Sequence, residues 1–445
     1  MMHLRRRIRP FAAAAALTVA LVACGGGDDS STDTAQTAGT ETTAPADGET
    51  TPAGDETMTE GTETAEGDFA VPVKSSGDPF ADLQDAAHHV VGAADTLSGG
   101  IAAAAGLEGD TASPAAETQA TLTALLQEHV YLAGITLDTA AGFGFDSQEF
   151  ELAAAQLDEN SVALADVVGS VSDDEKREAF LNLWREHIGF FVEYTKGAAG
   201  GDEEMKQNAL QELDSYRGDA GAFFEEVTGG ALPADAVAEN LKGHVDTVIA
   251  AIDAVAAGDA SVFDKLKQAA DHVNGSAKVL AGGIVQATGM EGDPESPAAM
   301  LRSDLTALLQ EHVYLAGIAV KTAYAAGPDS DAFSAAAGTL DKNTQELSAA
   351  VGSIAGPEKQ EAFQSLWREH IGFFVDFAVA AAGDDQQGME TAISELQGYT
   401  KDAGAFFEEI TAGELPADAV ASGLEEHIST LAGAIQSLAG VNFQG

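Results

Sequence analysis

The sequence predicts an all-α protein: two tandem six-helix bundles behind a disordered acidic tether. Three observations carry this prediction. The chain repeats itself at an offset of 183 residues, with LTALLQEHVYLAG at 122–134 and again at 305–317, and WREHIGFFV at 184–192 and again at 367–375. DAGAFFEE (219–226, 402–409) and LPADAVA (232–238, 415–421) recur at the same offset. Each copy divides into six stretches of helical apolar periodicity separated by cap and turn residues. The composition is rich in alanine and poor in β-branched runs, which favours helix over strand. A repeat this long fits a duplicated domain rather than a solenoid, and 445 residues exceed one typical core, so two domains are expected.

The elements follow in chain order. Arg5, Arg6, Arg7 and Arg9 precede an apolar run at 11–23 that is too short to be a comfortable transmembrane helix. That run ends in Leu21-Val22-Ala23-Cys24 and three glycines. The segment resembles a bacterial lipoprotein signal with its lipobox. The resemblance implies a signal peptide at 1–23, cleavage before Cys24, lipidation of that cysteine and attachment to the extracytoplasmic face of the cell membrane. Acylation at two or three positions gives stable anchoring, so the lipid bilayer is an expected partner. Cys24 is the sole cysteine, so a disulfide framework and a Cys-rich zinc site are both excluded.

Residues 24–78 are rich in Gly, Ser, Thr, Ala, Asp and Glu and lack apolar periodicity. Such a segment cannot bury enough apolar area to order itself and is predicted to be a flexible tether. Helices are then predicted over 80–105, 114–142, 147–171, 173–198, 202–228 and 233–257, forming unit 1 (79–261). Unit 2 (262–445) repeats them. Ser113-Pro114, Ser172-Asp173 and Leu232-Pro233 are start signals, and Gly142, Gly200 and Gly229 mark ends. Long helices joined by short polar connections form antiparallel bundles.

The charge limits function. Seventy-two acidic residues against 21 basic ones give −51, and loss of the four signal arginines would make the balance still more negative. A nucleic-acid partner is excluded because phosphate would be repelled.

Of the ten histidines, eight pair across the duplication: His89/His272, His129/His312, His187/His370 and His244/His427. His88 has Asp271 as its counterpart. His129, His187 and His244 fall on apolar stripes, with neighbours such as Leu126, Phe191 and Val248 at helical spacing, so they point inward. His89, with Asp82 and Asp85 nearby, is less clearly inward. Glu128, Glu186, Glu311 and Glu369 each precede a core histidine and lie beside it on the helix. A buried imidazole must satisfy two nitrogens. It can do so through Glu, Tyr or backbone partners, with Tyr131/Tyr314 and Tyr216/Tyr399 as candidates, or through a shared metal or haem in the bundle core. Histidines without cysteine suit copper, zinc or nickel.

Several chemistries leave no trace. There is no Glu-x-x-His di-iron motif, no H-E-x-x-H, no Gly-x-Ser-x-Gly elbow, no phosphate-cradling loop and no EF-hand. An enzyme is not expected. The E-H-x-x-L-A-G and L-W-x-E-H-I-G-F-F helices at 122–134 and 184–192, with their copies, are similar to segments of exported Gram-positive proteins, some of which adjoin copper-amine-oxidase-N-terminal-like domains. That resemblance implies the helical fold and the exported location only. The expected function is therefore a non-catalytic binding or interaction module of the cell envelope, with an envelope protein or a small ligand as its partner. The alternative is a metal-binding lipoprotein that holds copper or zinc through the inward histidines of each bundle.

Overall fold

The computed structural model describes residues 71–443. Residues 1–23, Cys24 and the tether up to residue 70 lie outside the described residues. Twelve helices are described: α1 (Pro79–Ala105), α2 (Pro114–Phe143), α3 (Gln148–Val171), α4 (Asp174–Gly200), α5 (Glu203–Val227), α6 (Ala234–Ala257), α7 (Val262–Thr288), α8 (Pro297–Ala326), α9 (Asp331–Ala355), α10 (Pro357–Ala382), α11 (Gln386–Ile410) and α12 (Ala417–Ala439). No strand occurs among the described residues, and no helix among them is long and apolar enough to cross a membrane.

The helix starts are chemically defined. Ser113 accepts a hydrogen bond from the Ala116 N–H with Pro114 at the first helical position, and Asp173 accepts from the Lys176 N–H. Each satisfies one of the amides that a helix start leaves unpaired. Pro233 starts α6 without a side-chain cap. Helix α2 runs one residue beyond Gly142 and α4 ends on Gly200, and they are closed by Gly144 and Gly201.

The packing units do not coincide with the sequence repeats. Helix α1 packs on α8 and α12 of the second repeat, and α7 packs on α2 and α6 of the first. The two six-helix groups are therefore α2–α7 and α8–α12 with α1, not 79–261 and 262–445. The described residues all fall within one compact unit. Each exchanged helix docks where its partner has no side chain. A β-carbon at Gly134 would lie 2.6 Å from Leu266 of α7, and one at Gly317 would lie 2.6 Å from Leu83 of α1. The loops obey the same two-fold relation: the Ala115 N–H donates to the Glu291 carbonyl and the Ala298 N–H to the Glu108 carbonyl.

The central pair, α2 and α8, is buried nearly all round, so neither shows a strong polar face. Tyr131 and Tyr314 stack between them with ring centroids 5.3 Å apart and planes at 12°.

Residues 71–78, placed in the tether by composition, are instead docked. Val71 is buried, the Lys74 N–H donates to the Ser429 carbonyl, and the Lys74 ammonium pairs with Glu426. The segment lies so close to α12 that only glycine fits at position 433, where a β-carbon would overlap the Lys74 carbonyl. Composition missed this because the segment's partner, α12, is more than 350 residues away.

Candidate metal centre

Three helices of each group carry one histidine each to a common point. His129 (α2), His187 (α4) and His244 (α6) form one triad, and His312 (α8), His370 (α10) and His427 (α12) form the other. Within each triad the potential ligand nitrogens lie within 4.8 Å of one another. All six side chains are buried, His187 and His370 at 1% exposure. These six are the inward histidines expected from the apolar stripes.

The surroundings are aromatic. Trp184 lies 4.8 Å from the His129 ring and 4.5 Å from His187, and Tyr216 stacks on His187 at 4.8 Å and 18°. Trp367 and Tyr399 repeat these contacts around His312 and His370. The tyrosines thus serve as stacking surfaces for the histidines. Tyr216 and Tyr399 were candidates for hydroxyl partners, and the ring-on-ring geometry assigns them a different part.

The triad nitrogens are poorly satisfied. The Nδ1 atoms of His129, His187, His244, His312, His370 and His427 are buried without a well-formed hydrogen bond, as is Nε2 of His187. Burial lowers every one of these imidazoles below the ordinary histidine value: His129 and His427 to about 3, and His244 and His312 to about 4. His187 and His370 are pushed well below it by burial first and by their histidine neighbours second, with the Trp184 and Trp367 carbonyls opposing weakly. All six are therefore neutral at pH 7 and offer lone pairs without a proton to displace. In the second triad, Nε2 of His370 and Nε2 of His312 are 3.4 Å apart. That distance is long for a hydrogen bond, and it matches two nitrogens bound at about 2.0–2.1 Å to one ion.

The other candidate residues lie elsewhere. His89 and His272 stand outside the triads: Nε2 of His89 is 3.0 Å from the Gly423 carbonyl, and Nε2 of His272 is 3.0 Å from the Asn240 carbonyl. Each ties an exchanged helix to its host, α1 to α12 and α7 to α6. Glu186 and Glu369 are exposed. Their one-residue offset turns them away from the core, so they cannot support the histidines.

Glu128 and Glu311 are buried, but on a face of α2 and α8 turned about 100° from that of the triads. Glu128 accepts from Gln84 (2.9 Å), Asn160 (3.1 Å) and the hydroxyl of Tyr314 (3.1 Å), and meets Nε2 of His88 at 2.8 Å. Glu311 accepts from Asn343 (3.0 Å) and the hydroxyl of Tyr131 (3.0 Å) and pairs with Lys267 at 3.1 Å. Each tyrosine thus serves the glutamate of the other repeat. Sequence reasoning missed Lys267, Gln84 and Asn160. The adjacent Glu-His pairs were a signal, read as supporting the histidines when they mark a separate network. Lys267 is held charged against its own burial by Glu311, Asp271 and Glu346. One ammonium serves three carboxylates, and the deepest, Glu311, is still pushed up to about 7 by burial.

No family model, no curated protein and no solved structure matches this chain.

Proposed function

We propose that the chain is a metal-binding protein with two three-histidine centres, one in each six-helix group. The observation that supports this most directly is the convergence of three neutral, poorly partnered imidazoles in an apolar interior, twice in one chain. An imidazole kept only for packing would be expected to find partners for its nitrogens, because each unpaired buried group costs about 1–3 kcal/mol. The Glu128 and Glu311 carboxylates do find theirs. A metal ion is the partner that satisfies three convergent lone pairs at once. Three nitrogen donors with no thiolate and no carboxylate suit copper or zinc and leave a fourth position open.

This reading keeps the non-catalytic binding role expected from the sequence and names its ligand. We propose further that the protein acts at the extracytoplasmic face of the membrane, held by lipidated Cys24, on the strength of the lipobox-like segment. Radiolabelled palmitate incorporation that is abolished by Cys24→Ala tests the anchor.

Metal analysis of the protein purified without a histidine tag tests the centres. About two equivalents of copper or zinc per chain are expected, falling to one in His187→Ala and to none when His370→Ala is added. A protein that takes up neither ion would overturn the reading.

A further inference from the structure

Each triad also forms part of the wall of an apolar cavity. The cavity beside the first triad measures about 580 Å³ and is bordered by His129 and His244. The one beside the second measures about 400 Å³ and is bordered by His312 and His427. Protein interiors seldom hold voids much larger than a water molecule, and both volumes fall within the range of small-molecule sites, about 300–1,000 Å³.

The walls specify the chemistry. Apart from histidines, the polar groups of the second cavity are the Thr96 hydroxyl and the indole N–H of Trp367, and no charged side chain lines it. In the first, the polar side chains are Gln286, Asn240 and Ser276, the last donating to Asn240 at 2.6 Å, and the charged ones are Lys278, Asp293 and Glu295, of which Lys278 is already paired with Asp304. An ionic ligand would find little compensation in either, and water would find few partners. An apolar molecule would lose nothing by entering.

The duplication adds an independent observation. Helix α3 differs from α9 at more than half of its positions. Yet Leu164 and Val168, which α3 contributes to the first cavity, are matched by Leu347 and Val351 in the second. The exchanged helices supply matching walls too, with Val273 and Leu280 of α7 in one cavity and Val90 and Leu97 of α1 in the other. The leucines, valines and aromatic rings of the wall thus mostly recur in both cavities, while Val167/Ala350, Asn240/Gly423, Ser276/Ala93 and Val279/Thr96 differ.

We propose that each cavity binds an uncharged, predominantly apolar small molecule that lies against the histidine triad. The metal reading is needed only for one refinement, that a donor atom on this molecule would fill the open coordination position.

Titration of the full chain with the neutral apolar fluorophore N-phenyl-1-naphthylamine tests this. Saturable binding of two dye molecules per chain is expected. Val168→Trp with Val351→Trp fills the walls, and Leu280→Trp with Leu97→Trp blocks each cavity from a half-buried position. Either pair should weaken binding at least tenfold while the metal content stays unchanged. If the valine pair fails to fold by circular dichroism, the leucine pair decides. Absence of saturable binding to the parent chain, or binding untouched by the folded variants, overturns the proposal. Dye binding by a chain that holds no metal would leave the cavity proposal standing and remove the metal reading. Metal without dye binding would do the reverse.

Discussion

On helix α2, residues 128 and 129 enter two opposite kinds of buried polar site. Glu128 faces α8 and has four hydrogen-bonding neighbours, among them Tyr314 from the other repeat. His129 faces α4 and α6, and its Nδ1 has no good partner. The same contrast recurs at Glu311 and His312. A satisfied polar network stabilises a particular packing, here the α2–α8 seam. An unsatisfied one persists at a cost, which is the mark of a site kept for something other than stability. The comparison predicts that substitutions on the two sides of one helix should fail differently.

The largest expected effect is on metal content. His187→Phe with His370→Phe keeps an aromatic ring against Tyr216, Tyr399 and the tryptophans and removes only nitrogens. Bound metal should fall from about two equivalents to none, and the metal-free variant should unfold within about 1 kcal/mol of the metal-free parent, because the deleted nitrogens make only the long His370–His312 contact at 3.4 Å and weak contacts to the Trp184 and Trp367 carbonyls. A large loss of stability in that variant would mean that the histidines form a structural network after all.

On the other side of the helix the expectation reverses. Lys267→Met leaves the Glu311 carboxyl buried without its ammonium. Breaking a buried ion pair by removing one partner costs about 3–5 kcal/mol, and chemical denaturation should show a loss of that order with metal content unchanged. The equivalent position in the first repeat is Gln84, a neutral donor to Glu128. Gln84→Met removes one neutral hydrogen bond and should cost about 1–2 kcal/mol.

This contrast also explains what the sequence could and could not disclose. The helix boundaries were legible to within about two residues, because caps such as Ser113 and Asp173 act locally. The triads were legible because three apolar stripes each carried a histidine. The exchange of α1 and α7 was not legible. Val90 and Val273 stand in equivalent positions, so the two repeats offer each first helix nearly the same docking surface, and periodicity holds no information about which copy receives it. The separation of His89 from His129 was hidden for a related reason: both lie on helices with inward faces, and only the exchange sends His89 to the Gly423 carbonyl. The place of the glutamates was not legible either, because adjacency in sequence does not give adjacency in space: a turn of about 100° puts Glu128 at a different interface from His129.

Protons provide a graded version of the same test. In the folded state His129, His244, His312 and His427 are depressed to about 3–4, and burial pushes His187 and His370 well below the ordinary histidine value, which is about 6.5 when unfolded. Between those values the unfolded chain binds protons that the folded chain refuses. The stability these groups contribute is complete above about pH 6.5 and is lost as pH falls toward about 4. Glu311, raised to about 7, acts in the opposite direction but is one group against six. The metal-free protein should therefore show a denaturation midpoint that drops steeply between about pH 7 and pH 5. The two phenylalanine substitutions should flatten that slope. A flat profile in the parent would mean that the imidazoles titrate as if hydrated.

The smallest effect is expected at His88, whose counterpart in the second repeat is Asp271. Its side chain is 52% exposed and meets Glu128 at 2.8 Å. The hydrogen bond to Glu128 raises its pKa above the ordinary value, with burial opposing. A raised imidazole contributes stability that is fully present below about pH 6.5 and fades as pH climbs through the folded value. Exposure screens the pair, so His88→Ala should cost less than about 1 kcal/mol under acidic conditions. The penalty should shrink under alkaline conditions to that of a neutral hydrogen bond, measured as the shift in denaturation midpoint at the two pH values. Glu128 retains Gln84, Asn160 and Tyr314 without His88, whereas Glu311 depends on a buried cation. A penalty for His88→Ala as large as that for Lys267→Met would show that both glutamates need a positive charge beside them and that Gln84, Asn160 and Tyr314 do not suffice for Glu128.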